Sequence, residues 1–430
     1  MRCHIKIDYF FIDNHVKLTY QEKTNAFFIV NDFMSYLSLK KYEYRHHGKS
    51  DEEYLRRFNS DDSIKIGLNI NSYPAFFVET KEIRQKLSVI LKLDKYVSKL
   101  CFQLPKEALA HYMLYSLFEE IQITNSIEGV QSTKKELMDA YYHNGTRFNG
   151  IVGKYHMLIS KDNIPLDSCR DIRNLYDELV LQEVLEVSKD YKPDGEIFRK
   201  DRTYIRGAKL EPIHEGLYPE EKIIDSMTNA LAFLNNEDQE LLYRVAVFHY
   251  LLGYIHPFYD GNGRLNRFIS SYMLTRELEP IIGYSLSNTI KEEQSLYNRT
   301  FNECNDKGNR GELTMFVYMF LDIVHVSISN LIDALESRSN SWKRYEDNIS
   351  KLPFADQKFY SKLYKVLILN KLFAPSRIEI NELKKCTNIS IPTLRNLLKS
   401  LDNVGLLITD KSERSFKYEI NLDKMDQLLS

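Results

Sequence analysis

HPFYDGNGRLNR, residues 256–267, decides how the rest of the chain is read. It follows a dense apolar run, Leu241 to Ile255, and precedes another helical pattern, so it reads as a glycine-flanked turn between two helices. One imidazole, one carboxylate and two arginines in such a turn suit a nucleotide triphosphate. The backbone N–H groups of Gly261, Asn262 and Gly263 fall at the N-terminus of the second helix. There, orphan donors and the positive end of the dipole stabilise anionic oxygens. Glycine on both sides of Asn262 permits positive φ and close approach of backbone to ligand. Arg264 and Arg267 lie three apart, on one helical face, and are expected to aim at one anion. Asp260 offers a hard oxygen ligand to a divalent cation travelling with the phosphates. His256 is the group whose ordinary pKa suits general-base work near neutral pH. The plainer alternative is a corner whose glycines only make the turn and whose charges are solvated.

The stretch resembles the signature of the Fic (filamentation-induced-by-cAMP) family, H-x-F-x-[D/E]-G-N-G-R-x-x-R. His256, Phe258, Asp260, Gly261, Asn262, Gly263, Arg264 and Arg267 occupy its fixed positions. The resemblance implies a mainly α fold: a Fic helical-bundle domain with a small β-hairpin flap. It also implies a protein adenylyltransferase, which moves AMP from ATP, with Mg²⁺, to a Ser, Thr or Tyr hydroxyl of a target protein. His256 would then be the base, Asp260 the metal ligand, and Gly261, Asn262, Gly263, Arg264 and Arg267 the phosphate site. The family branch that transfers a phosphoryl group has a lysine where Gly263 stands here, so an intact GNGR favours nucleotidyl transfer.

Upstream, Ala108 to Ile123 has helical periodicity and ends in Thr124-Asn125-Ser126-Ile127-Glu128-Gly129. Gly129 is the residue expected just past a helix C-terminus. Glu128 is oddly placed there, because a carboxylate near the negative end of a helix dipole is disfavoured unless tertiary structure brings a cation. The fragment resembles the family's inhibitory motif, [S/T]-x-x-x-E-[G/N], through Thr124, Glu128 and Gly129. By that resemblance Glu128 pairs with Arg267 and blocks a productive γ-phosphate pose, on an inhibitory helix of about 107–129. Two alternatives stand beside it: removal of AMP by a water that Glu128 positions, and a glutamate fraying at a helix end.

Between these motifs, Phe198 to Gly207 alternates polar residues and β-formers, and the resemblance places the flap near Asp201 to Gly207. The family's following diproline is replaced by Glu211-Pro212-Ile213-His214, with His214 read as a loop histidine. Ser295 to Asp306 resembles the family's base-binding helix, with Tyr297 and Asn305 as candidates for the adenine pocket. Residues 1–80 form a region of unassigned role, with His46 to Asp62 read as a loop and Ile64 to Val78 as a small β element.

A chain of 430 residues allows two or three domains. The boundaries read as a Fic domain over 81–340, a linker at 341–355, where Trp342 stands alone, and a small domain over 356–430. Helices at Phe359–Leu372, Glu379–Thr387 and Leu394–Leu401, then a ribbon, give the order of a winged helix-turn-helix. Between Lys358 and Lys417 there are twelve Lys/Arg against five Asp/Glu. Thr393, Arg395, Asn396 and Lys399 lie opposite Leu394, Leu397, Leu398 and Leu401, an arrangement that suits DNA. Winged helices also serve as protein-interaction or homodimerisation modules. A DNA-binding regulator with a nucleotide-sensing Fic domain is therefore the non-enzymatic alternative.

The net charge of −2 predicts neither a nucleic-acid binder nor a membrane-surface protein for the chain as a whole. Five scattered cysteines without a CxxC pair argue for a reducing compartment and against a cysteine zinc site. Without a signal-like N-terminus or an uninterrupted apolar span, the expectation is a cytoplasmic protein that does not enter membranes.

Overall fold

A helix that is apolar on every side has to sit in the middle of a protein, and Leu241–Ile255 does: every residue but Gly253 is buried. The computed structural model describes residues 36–143, 145–206, 212–411 and 416–430. Residues 1–35 of the unassigned region, and the flap positions Gly207 and Glu211, lie outside them.

Two short helices, α1 (Leu39–Arg45) and α2 (Ser50–Phe58), precede an antiparallel hairpin, β1 (Ser63–Ile70) and β2 (Tyr73–Val78). The helical body then runs α3 (Lys81–Gln103), α4 (Lys106–Ile127), α5 (Lys134–Tyr142), α6 (Asn149–Ser160) and α7 (Cys169–Tyr176). A π-turn at Asp177–Leu181 joins α7 to α8 (Gln182–Val187). A second hairpin, β3 (Tyr204–Arg206) and β4 (Pro212–Glu215), follows. After it come α9 (Glu220–Leu234), α10 (Leu241–Ile255), α11 (Asn262–Glu277), α12 (Leu286–Glu292), α13 (Gln294–Asn305) and α14 (Thr314–Asn348). The protein is mainly α, and α10 lies between α9, α11 and α14.

Local sequence sets many of these boundaries. Thr80 caps α3 by accepting the Ile83 N–H, and capping boxes start α5 (Thr133/Glu136) and α7 (Ser168/Asp171). Tertiary context overrides two expectations. The polar run 46–62 is not all loop, because α2 forms inside it. Glu53 bonds Arg56 and Arg57 at helical spacing, and buried Arg57 also pairs with Glu312 at 2.9 Å. The expected linker 341–355 is helical to Asn348 and continues as a 3₁₀ turn, Ile349–Lys351. Trp342 and Tyr345 are buried there, so the stretch is a packed helix end with one polar face. The segment Thr314–Lys351 is long and apolar enough to cross a membrane, but 72% of its most apolar window is buried inside the protein.

The C-terminal part contains α15 (Tyr360–Phe373), β5 (Ile378–Glu379), α16 (Ile380–Thr387), α17 (Ile391–Asn403), β6 (Leu407–Asp410), β7 (Lys417–Ile420) and α18 (Leu422–Leu429). The three expected helices and the ribbon are present in order. The short β5, which the sequence did not announce, pairs with β7 to make a sheet of order β5-β7-β6. Ser390 caps α17 with Pro392 in its first turn. This part packs on α4 through α15, where Phe373 meets the Tyr112 ring edge-on at 6.4 Å. Arg338 of α14 donates to the Leu372 carbonyl at 3.1 Å from beside the same tyrosine.

Candidate active site

The loop after α10 is shaped by packing. His256 ends the helix in the left-handed region, φ 52 and ψ 64, with its N–H on the Leu252 carbonyl at 2.9 Å. Phe258 stacks on Tyr176 with ring centroids 3.6 Å apart and meets Phe198 edge-on at 5.5 Å. The Asn262 side chain closes the turn: Oδ1 accepts the Phe258 N–H at 3.0 Å and Nδ2 donates to the Phe258 carbonyl at 2.8 Å. Gly261, at φ 79, is the N-cap of α11, and its N–H goes to Asp260 Oδ1 at 2.6 Å. The anion cradle is therefore smaller than the sequence reading drew it. It consists of the backbone donors from Asn262 and Gly263 onward, at the positive end of α11.

The two arginines do not face one anion. Arg264 turns inward to Glu183 of α8, an ion pair at 2.9 Å with both side chains almost wholly buried. Burial pushes the Glu183 carboxyl up, and Arg264 beside it opposes that shift. Arg267 turns to α4 instead. Its Nε donates to Thr124 Oγ1 at 2.6 Å, and its Nη2 to the Thr124 carbonyl at 3.1 Å and to Glu128 Oε1 at 2.7 Å. Three residues along a helix differ by about 60° in direction, enough for the packing on each side to separate them.

Glu128 is the C-cap of α4, and Gly129 follows at φ 74. The Val130 N–H returns to the Asn125 carbonyl at 2.9 Å and the Gly129 N–H to the Ser126 carbonyl at 3.2 Å, the paired bonds of a Schellman ending. The unfavourable dipole at Glu128 is thus met by Arg267. The carboxylate also covers the cradle: a Cβ placed on Gly263 would collide with it. Only glycine lets an anionic group lie this close to the start of α11.

His256 is not tuned as its type alone implied. Burial, then the nearby Arg199 cation and then His214, push its pKa down to about 3. It is therefore neutral at physiological pH and able to accept a proton, though as a weaker base than free imidazole. Arg199 was not singled out from sequence. It is wholly buried and donates to the carbonyls of His256 (2.9 Å), Asp201 (2.5 Å) and Leu217 (2.9 Å). Asp201 and Leu217 flank the hairpin β3–β4 on its two sides in sequence. His214 belongs to β4, and its Nε2 lies 2.6 Å from the Tyr254 carbonyl, which makes it a strand residue tied to α10.

Residues 165–274, from just before α7 nearly to the end of α11, match the Fic/DOC family model. This stretch is a Fic domain. The chain is 22% identical over 180 residues to the protein adenylyltransferase fic-1 of Caenorhabditis elegans, a match covering 40% of this chain and 33% of the relative. The Caenorhabditis briggsae protein of the same name is 24% identical over 183 residues, with the same coverages. The chain thus spans about a third of the length of these curated relatives. Among solved structures, a Fic family protein from Desulfovibrio desulfuricans aligns at 18% identity and a TM-score of 0.48, over 81% of this chain and 98% of that one.

Beyond the Fic signature, the candidate base-binding residues part company. Tyr297 lies close to Arg267 and Glu128, and its hydroxyl is 3.0 Å from Nε2 of buried His249. Asn305, two turns on, accepts from Tyr250 and lines a cavity of about 410 Å³ at the foot of the hairpin, with Asn71, His214 and Tyr254. On α17, Arg395, Asn396 and Lys399 are exposed and Thr393 partly so, while Leu394, Leu397, Leu398 and Leu401 are buried.

Proposed function

We propose that this protein transfers AMP from ATP to a hydroxyl side chain of a target protein, and that Glu128 restrains the reaction. The observation that carries the proposal is the Glu128 carboxylate lying against Gly263 and bonded to Arg267. A carboxylate there imitates the anion for which a helix start and an arginine are suited, and competes with it.

In the transfer, the neutral imidazole of His256 takes the proton of the target hydroxyl. The hydroxyl oxygen forms a bond to the α-phosphorus in line, the bond from that phosphorus to the bridging oxygen breaks, and pyrophosphate leaves. The first N–H groups of α11, and Arg267 once Glu128 releases it, stabilise the negative charge. Asp260 would hold Mg²⁺, which neutralises phosphate charge when bound. Among the described residues no three His, Cys, Asp or Glu side chains cluster to hold a metal alone. This fits a cation that takes most of its oxygens from phosphate and water.

The test incubates wild type, Glu128→Gly and Glu128→Gly/His256→Ala with Mg²⁺ and α-labelled ATP. Label on protein in the single variant, at least ~100-fold above wild type and absent from the double variant, is expected. That factor corresponds to about 2.7 kcal/mol of released restraint. Equal labelling of wild type and Glu128→Gly ends the inhibitory reading. No label in any sample, with candidate targets added, ends the transfer reading.

A second activity is supported by the exposed polar and basic face of α17. We infer that this helix enters the major groove of DNA. Affinity should fall steeply with salt and drop in Arg395→Ala/Lys399→Ala, by fluorescence anisotropy with a random duplex. Salt-independent or unchanged binding removes this reading.

A further inference from the structure

An imidazole that works as a general base is usually oriented through its second nitrogen by a carboxylate or a carbonyl. At His256 that support is limited to the Gly253 carbonyl. Its buried Nδ1 has no hydrogen-bond partner of ordinary geometry, and the Gly253 carbonyl is close enough only to oppose the fall in its pKa. Its backbone is strained as well: a residue with a Cβ at φ 52 costs on the order of 1 kcal/mol. The ring direction must therefore be set through the main chain.

We propose that Arg199 is the positioning residue of this site, a joint that fixes the backbone of His256 and both feet of the β3–β4 hairpin at once. The inference rests on the transfer reading for its catalytic consequence. Asp201 stands three residues before β3 and Leu217 two residues after β4, and Arg199 bonds both carbonyls together with that of His256. The joint is reinforced by main-chain bonds: Arg199 N–H to the Pro257 carbonyl (3.3 Å), Leu217 N–H to Ile255 (3.0 Å) and Gly216 N–H to Thr203 (3.1 Å). Gly216 makes room, since a Cβ there would overlap the guanidinium and come within 2.9 Å of the His256 Cβ.

The chemistry selects arginine. Three carbonyls in three directions need a rigid fork of donors, which a lysine ammonium cannot reproduce. A buried guanidinium bonded to carbonyls rather than paired with a carboxylate is costly to keep, and burial indeed lowers its pKa. That cost is offset by fixing the backbone that carries the His256 ring. The phosphate cradle is untouched by Arg199, so the residue affects the chemical step and the seating of the target hydroxyl, not the binding of ATP.

The test places Arg199→Met and Arg199→Lys in the Glu128→Gly background. Arg199→Met is expected to lower kcat ~100-fold, the scale of a misplacement of about 1 Å, with KM for ATP within about threefold. Its acidic limb should move to higher pH, because one of the two groups that depress His256, Arg199 and His214, is gone. Arg199→Lys, which keeps the charge, should lose about tenfold in kcat without moving that limb. Hydrogen exchange should show the Gly216 and Leu217 amides deprotected in Arg199→Met and those of α11 unchanged. An unchanged kcat, a KM for ATP that rises in step with the loss of activity, or protection lost throughout the domain overturns the proposal. If Glu128→Gly transfers no AMP, the transfer reading fails, and exchange at Gly216 and Leu217 alone decides whether the joint exists.

Discussion

Two arginine–glutamate pairs flank the first turns of α11, and they differ in burial. Arg264–Glu183 is closed, with side chains 2% and 5% exposed. Arg267–Glu128 has the same chemistry and nearly the same distance, but the Glu128 side chain is 26% exposed and sits on a helix end. Breaking a closed pair strands a charge in a low-dielectric interior, whereas a glutamate at a helix end can leave into water. The first pair is thus a fastener, and the second, under the proposed function, a gate. The difference lies in what surrounds each glutamate, not in the residues themselves.

The sharpest way to break this comparison is to remove the fastener. Glu183→Ala should destabilise the fold by roughly 3–5 kcal/mol, as expected for an uncompensated buried arginine, and give no activation. Denaturant unfolding and the labelling assay together check it. A Glu183→Ala protein that is stable and active would make Arg264–Glu183 a second gate.

The next effect depends on pH. Glu120, one turn before Thr124 and wholly buried, accepts from the Ser287 N–H and hydroxyl. Burial pushes its carboxyl up to about 7. Because the folded value lies above the unfolded one, the protonated form is favoured by folding. Stability from this group is full below about 4.5 and is lost as pH rises through about 7. Glu120→Gln should melt higher than wild type at pH 8, by up to roughly 3 kcal/mol, and match it at pH 4.5. A difference that does not depend on pH removes the assignment.

The smallest change sharpens the gate. Thr124→Val deletes the acceptor of the Arg267 Nε bond and leaves Glu128 in place. A loss of about 1–2 kcal/mol should give partial activation, roughly tenfold, well short of Glu128→Gly. Activation equal to Glu128→Gly would show that Thr124, not Glu128, holds the gate.

Much of the site was legible because it is local. The turn 256–267 carries its own chemistry, and Thr124 to Gly129 carries both a helix stop and a misplaced carboxylate. The apolar run 241–255 allowed only a central helix. The order of the helices α15, α16 and α17 followed from periodicity and the Ser390–Pro392 start.

What the sequence by itself determined, then, is the set of groups that a contiguous stretch can present: an imidazole at a helix end, a glycine-lined anion cradle, and a carboxylate where a helix should not have one. Only the tertiary structure decided their partners. Arg267 finds Glu128 across 139 residues, Arg264 finds Glu183, and Arg199, one cation among several in RKDRTYIR, is buried at the feet of the hairpin while Lys200 and Arg202 are exposed. Charge and spacing are written along the chain. Burial is not, because it depends on which distant elements close over a side chain, and burial is what separates a fastener from a gate and a surface arginine from the joint under His256.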